Sequence, residues 1–184
     1  MKLIDEPLPD LKVIQLQLHG DDRGFFVERY QKDKLIRCGI TEDFVQDNHS
    51  RSAAGIIRGL HYQLNPAQGK LVGCMHGNIW DVAVDIRPES PTFGQHYGIE
   101  LSDMNGRLLW IPAGFAHGFS VLGDDTADVF YKTNNFYNAA SEGGIRYDDK
   151  ELKIDWHLSN QPIISARDDS LPSFSDYRNN TPSW

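Results

Sequence analysis

An all-β fold, a sandwich or barrel of short strands with a few short peripheral helices, is what this sequence predicts. Two observations carry that expectation. Strand-sized apolar runs recur at short, even spacing, with Gly, Pro, Asn or Asp between most of them. Where a run is long enough to show a period, the period is two. In residues 81–87, Val82, Val84 and Ile86 share one face while Asp81, Ala83 and Asp85 share the other. Helical periodicity is weak throughout.

Taken in order, residues 11–18 (LKVIQLQL) alternate over their second half, and residues 24–30 (GFFVERY) follow a HGDDRG turn. Residues 31–39 (QKDKLIRCG) fit one short helix around Leu35 that ends at Gly39. Residues 56–63 (IIRGLHYQ) and 69–75 (GKLVGCM) flank a polar turn with Asn and Pro and read as a β-hairpin. Further strands are expected at 77–87, 95–102, 106–112, 117–123 and 127–133. The tail, 150–184, has scattered apolar residues and several prolines, and reads as irregular with room for a short helix.

The chain has 184 residues, enough to bury a core as one domain, and no repeat or linker divides it. The net charge of -8 opposes non-specific nucleic acid binding, so any anionic ligand needs a local cluster of Arg and Lys. Two cysteines, Cys38 and Cys74, make no disulfide framework and point to a reducing cytoplasmic setting. Asp5, Glu6 and Asp10 interrupt the first apolar residues, so no secretion signal is read, and no run approaches a membrane span.

Four stretches hold side chains that a core has no use for. In residues 46–72, Gln46, Asn48, Arg58, His61 and Lys70 lie on or beside strands. Facing one cavity, they would form an anion-binding wall; on that stretch alone, a solvated sheet face with a packed histidine is the simpler account. Residues 111–119 (IPAGFAHGF) have the Pro-Gly-His spacing of the second motif of cupins, small jelly-roll barrels. Metal cupins need His-x-His in their first motif. The matching place here is His61-Tyr62-Gln63, so the fold hint stands and the metal site is not supported. His117 either closes a turn or lines the barrel. Tyr131 and Tyr137, with Glu142 behind them, could serve a barrel mouth or simply pack. Arg23 and Glu28 are five apart, which puts them on opposite faces of a regular strand. No dinucleotide fingerprint, P-loop or nucleophile elbow is present.

Together, residues 21–30, 44–63, 67–72, 81–95, 109–119, 131–149, 154–156 and 164–168 closely resemble one family, the dTDP-4-dehydrorhamnose 3,5-epimerases of deoxysugar biosynthesis. The segments follow family order and cover most of residues 20–170. The resemblance implies a cupin-type jelly roll, a homodimer with exchanged N-terminal strands, a dTDP-linked 4-ketosugar as substrate, and catalysis without cofactor or metal. It implies that His61 is the base, Asp168 its carboxylate partner, Lys70 the neighbour of the substrate carbonyl and Tyr131 the general acid. Tyr137 matches the aromatic that stacks on thymine. Arg23, Glu28, Gln46, Asp47 and Asn48 match positions that contact the nucleotide sugar, as do Arg58, His117, Glu142 and Arg167. The Arg23 and Glu28 positions reach the neighbouring subunit's site in that family. Departures from the pattern include Arg167 where lysine is usual, Gly73 and His76 where Arg or apolar residues are frequent, and His157 where proline is common.

The implied chemistry suits these residue types. Carbons 3 and 5 flank the 4-keto group, so their protons are acidified by enolate formation. Neutral His is a suitable base near neutral pH, and a carboxylate behind it fixes the tautomer. The enolate oxygen needs a cationic donor, such as Lys70, and the opposite face needs an acid, such as the Tyr131 phenol. A diphosphate needs cations, which Arg58 and Arg23 supply. The competing expectations are an epimerase that inverts one centre of a related 4-ketosugar, a catalytically inert nucleotide-sugar binder, and a metal-dependent cupin oxygenase. Arg58 and His61 are three apart, so a regular strand would split them. A bulge or twist near Gly59, or an Arg58 reaching in from the rim, is expected.

Overall fold

The computed structural model describes residues 1–181, and residues 182–184, the end of the tail expected to be irregular, lie outside it. The chain opens with β1 (Lys2–Leu8) and β2 (Leu11–Gln15), then the ribbon β3 (Leu18–Asp21) and β4 (Gly24–Val27). The helix expected around Leu35 is α1 (Lys32–Arg37). It starts where the Gln31 side chain accepts from the Lys34 N–H, and it stops before Gly39, whose φ is 77°. Then follow β5 (Gln46–Ser52), β6 (Ile57–Gln63), β7 (Lys70–His76), β8 (Asn78–Asp85), β9 (His96–Ser102), β10 (Arg107–Ile111), β11 (Phe115–Val121) and β12 (Ala127–Thr133). The last strand is β13 (Glu142–Gly144), and two short helices close the fold, α2 (Ala166–Asp169) and α3 (Phe174–Asn179).

The strands form two antiparallel sheets, one of order β1-β2-β10-β7-β12-β5 and one of order β13-β6-β11-β8-β9. They pack face to face, which is the jelly roll that the sequence predicts. Three apolar layers result. Between the sheets lie Val13, Val72, Leu109, Phe119 and Val129, all buried. Outside the six-stranded sheet, α1 drops Leu35 onto Ile14, Leu71 and Trp110. Outside the five-stranded sheet, the tail packs Leu152, Trp156, Phe174 and Tyr177 on Val82, Val84 and Ile86. The alternation in β8 is therefore real, but both of its faces are covered. Asp81, Ala83 and Asp85 point between the sheets or into its end rather than to water, and all three are fully buried.

The tail is more ordered than its composition implies. Ser165 and Ser173 cap α2 and α3, the second in a reciprocal capping box with Asp176. The Trp156 carbonyl accepts from Ser120 Oγ at 2.7 Å, and Tyr177 Oη donates to the Ile86 carbonyl at 2.7 Å. His157 adopts φ 53°, a left-handed conformation closed to the proline that is common there. Among the described residues, no helix is long and apolar enough to cross a membrane.

Residues 56–72 correct one expectation. They are not a hairpin. β6 belongs to the five-stranded sheet and β7 to the six-stranded one, so the polar turn carries the chain across the sandwich. A hairpin and a sheet-changing corner have the same local signature, two runs around a turn; only partner choice separates them.

The expected bulge is present. His117 pairs with His61 and Phe119 with Arg58, so β6 places three steps opposite two on β11. Gly59 sits in the extra step with φ 125°, and a Cβ there would lie 2.5 Å from Gly118 Cα. Gly59→Ala is expected to cost about 3 kcal/mol or more, from backbone strain plus a clash with backbone that cannot yield. A denaturant midpoint equal to that of the unsubstituted protein would refute this account of the bulge.

Candidate active site

The interior rows of the sandwich turn polar at one end. On β7 the inward row runs Lys70, Val72, Cys74, and on β12 it runs Val129, Tyr131, Thr133, in matching register. Gln46 and Asn48 stand inward on β5 beside Thr133 and Tyr131. From the opposite sheet, β6 adds Arg58 and His61, β11 adds His117, and β13 adds Glu142. The polar members Lys70, Tyr131, Gln46, Asn48, Arg58, His61, His117 and Glu142 line one cavity of about 380 Å³, with Tyr137 and Arg167 also on its wall. Lys70 thus faces Arg58 and His61 across the sandwich, instead of standing beside them on one sheet.

His61 is held from behind. Asp168, on the short helix α2, approaches its Nε2 to 2.8 Å, and the second oxygen of the same carboxylate accepts from the Gly59 N–H at 3.2 Å. The bulge therefore does two things: it turns His61 inward beside Arg58, and it points a backbone donor at the carboxylate behind His61. Burial alone would raise the Asp168 carboxyl, but the His61 hydrogen bond and charge, the Gly59 N–H and Arg167 together hold it below its usual range. An ionised carboxylate only accepts, so Nε2 is the ring nitrogen that donates to it, and Nδ1 is the nitrogen left for other contacts.

Lys70 and Tyr131 face it. Lys70 is buried, and burial pulls its ammonium down to about 8 against the opposing fields of Glu142 and Asp81. Tyr131 is raised by burial and by Glu142, against the lowering effect of Arg58, so its phenol stays protonated at neutral pH. The three groups offer a base, a cation and an acid around one volume.

A polar chain spans the mouth. Tyr137 Oη donates to Glu142 Oε2 at 2.7 Å, and Arg167 Nη2 lies 2.6 Å from the same oxygen. Burial pushes Glu142 up, but Tyr137 and Arg167 outweigh it and hold the carboxyl below its usual value. Gln46 accepts from the Tyr137 backbone N–H and donates to Asn48, so one strand sets both rim groups. Arg58 rests its Nε on Ser52 Oγ at 2.9 Å.

Gln63, which stands where a metal cupin has its second histidine, is used otherwise. Its amide donates to the Pro66 and Phe136 carbonyls and accepts from the Asn138 N–H, tying two loops together. No group of His, Cys, Asp or Glu that could hold a metal ion occurs among the described residues.

Three expected site residues lie elsewhere in this chain. The side chain of Asp47 is turned outward by the alternation of β5 and pairs with Lys132 at 2.8 Å. Its expected contact with the ligand is not one that its side chain can make in this cavity. Arg23 sits in the β3–β4 turn paired with Asp21, and Glu28 pairs with Lys34 at 2.6 Å. Other groups escaped the sequence reading. Gln68 and Phe119 line the cavity, and Asp81 binds His117 from behind. The signal for Asp81 was available: an acidic side chain on a strand whose neighbours are all apolar.

The chain is similar throughout to known proteins. The family model described as dTDP-4-dehydrorhamnose 3,5-epimerase matches residues 5–176. A dTDP-4-dehydrorhamnose 3,5-epimerase of Shigella flexneri is 51% identical over 178 residues, covering 96% of this chain and 97% of the relative. The crystal structure of dTDP-6-deoxy-D-glucose-3,5-epimerase from Legionella pneumophila in complex with dTDP-4-keto-L-rhamnose superposes with a TM-score of 0.91, at 47% identity over 95% of this chain and 93% of that one. A 3'-monoepimerase from Streptomyces bikiniensis in complex with dTDP-quinovose gives 0.88, at 28% identity over 95% and 89%.

Proposed function

Because the chain belongs to the family of dTDP-4-dehydrorhamnose 3,5-epimerases, we propose that it inverts C3 and C5 of dTDP-4-dehydro-6-deoxy-D-glucose on the route to dTDP-L-rhamnose. The observation that carries this reading is the cavity itself: His61 backed by Asp168, with Lys70 and Tyr131 facing it. His61 Nδ1 takes the proton from a carbon beside the 4-keto group. The electron pair moves onto the carbonyl oxygen, where Lys70 stabilises the enolate. Tyr131 returns a proton to the opposite face of the carbon, which inverts it. His61 then yields its proton to water and Tyr131 regains one from water, so each turnover exchanges with solvent.

Arg58 is the diphosphate anchor in this scheme, Tyr137 the platform for the base, and Gln46, Asn48, His117, Glu142 and Arg167 the contacts that hold the nucleotide sugar. No cofactor enters. We read the chain as one domain acting as a homodimer, with N-terminal strands exchanged and with Arg23 and Glu28 completing the partner's site. Support comes from the β3–β4 ribbon, which pairs with neither sheet and exposes Phe25 and Phe26. The unpaired, buried Cys38 and Cys74 support a cytoplasmic enzyme.

Turnover of dTDP-4-dehydro-6-deoxyglucose in deuterium oxide tests the proposal. Label is expected at both C3 and C5. Label at one centre would favour a single-centre epimerase, a reading kept because the 3'-monoepimerase shares this fold. Absence of label at either centre would leave a nucleotide-sugar binder.

A further inference from the structure

A second carboxylate–imidazole pair stands in the cavity beside the first. His117 is the cross-strand partner of His61, so both rings project from adjacent strands on the same face. One strand further, on β8, Asp81 reaches His117 Nε2 with its Oδ2 at 2.9 Å. Asp81 is fully buried, and its other oxygen, Oδ1, has no hydrogen-bond partner among the described residues. A carboxylate left half unsatisfied in the interior is costly. It persists where a charge nearby offsets it. Among the described residues the buried lysine is Lys70, on the facing sheet.

We infer that Asp81 is a positioning residue for the reaction: one oxygen orients His117 toward the sugar, and its buried negative charge sustains the cationic Lys70 that meets the enolate. The inference rests on the epimerase reading above. Charged and titratable groups face Lys70 from every side: Arg58 and His61 on β6, His117 on β11, Tyr131 on β12, Glu142 on β13, and Asp81 behind them on β8. Glu142 is engaged by Tyr137 and Arg167 at the mouth, whereas Asp81 Oδ1 is not engaged at all. Lys70 is held up by these two carboxylates against burial. Removing Asp81 therefore lowers the pH at which Lys70 loses its proton.

The test is the pH profile of kcat for Asp81→Asn, with Asp81→Ser as a second uncharged variant that cannot clash. Asparagine keeps an acceptor for His117 Nε2, so KM is expected to stay within a few-fold of the unsubstituted enzyme. The alkaline fall of kcat is expected to move to lower pH, because Lys70 loses one of the two carboxylates that hold its proton. Serine is too short to reach His117, and KM is expected to rise as well. An unmoved alkaline limb in the folded variants overturns the inference, as does failure of both to fold, since Asp81 is then structural alone. Deuterium exchange by the unsubstituted enzyme separates the two readings. If it exchanges at C3 and C5 while the limb stays put, only the Asp81 inference fails; if it exchanges at neither, the epimerase reading fails and takes this one with it.

Discussion

His61→Asn is expected to lower kcat by about 10²–10⁴, the range that one positioned general base contributes, and to abolish solvent deuterium incorporation at both carbons together. Asparagine is polar and smaller than imidazole, so it introduces no clash in the cavity, and the fold and the nucleotide affinity are expected to survive. The reason both centres should fail is geometric. Two imidazoles backed by carboxylates stand on the sheet opposite Tyr131, and His61 is the one assigned as base to both steps. His117 is bound through Nε2 to Asp81 and stands beside His61, not across from it. If the variant kept full exchange at C3 and lost it only at C5, a second base would be at work, and the assignment of His61 to both steps would be wrong. Unchanged exchange at both would return the cavity to a mere binding site.

Lys70→Met is the second large effect. Methionine matches the length and apolar stem of lysine and removes the cation, so kcat is expected to fall by about 10²–10³, the typical loss of one preorganised oxyanion donor. KM should change little, because the interaction grows as charge develops on the carbonyl oxygen rather than in the bound ketone. The same residue sets a pH limit. Its folded-state value is depressed to about 8 by burial. The ammonium form, which the enolate needs, is present below that pH and is lost as pH rises through it. The unsubstituted enzyme is therefore expected to lose activity above about 8, while the Tyr131 phenol, raised by burial and Glu142, is still protonated there. Lys70→Met should lack this alkaline limb. A limb that persists in the variant would assign it to another group.

Much of the fold was legible because alternation is a local property. β7 to β12 each carry an apolar row that survives without knowledge of any partner. β5 was missed for a physical reason. Its residues, QDNHSRS, line a wet cavity on one face and meet solvent on the other, so no apolar row exists to be read. β1, with two acids and a proline at a sheet edge, escaped in the same way. The site was legible in part through resemblance, which singled out His61, Lys70, Tyr131 and Asp168. It also carried Asp47 along, whose side chain faces away, and it passed over Asp81, which has no motif of its own.

The sequence by itself determined which strands exist, where turns and caps fall, and which residue types are available for acid–base chemistry, since each depends on neighbours a few positions away. Only the tertiary structure decided who faces whom. Residues 56–72 look like one hairpin in the sequence, yet they hand Arg58 and His61 to one sheet and Lys70 to the other, so that imidazole and ammonium oppose each other across a cavity. The physical reason is that the pairing of β6 with β11 and β13, and of β7 with β10 and β12, is set by burial of long-range apolar faces. No local pattern encodes that choice.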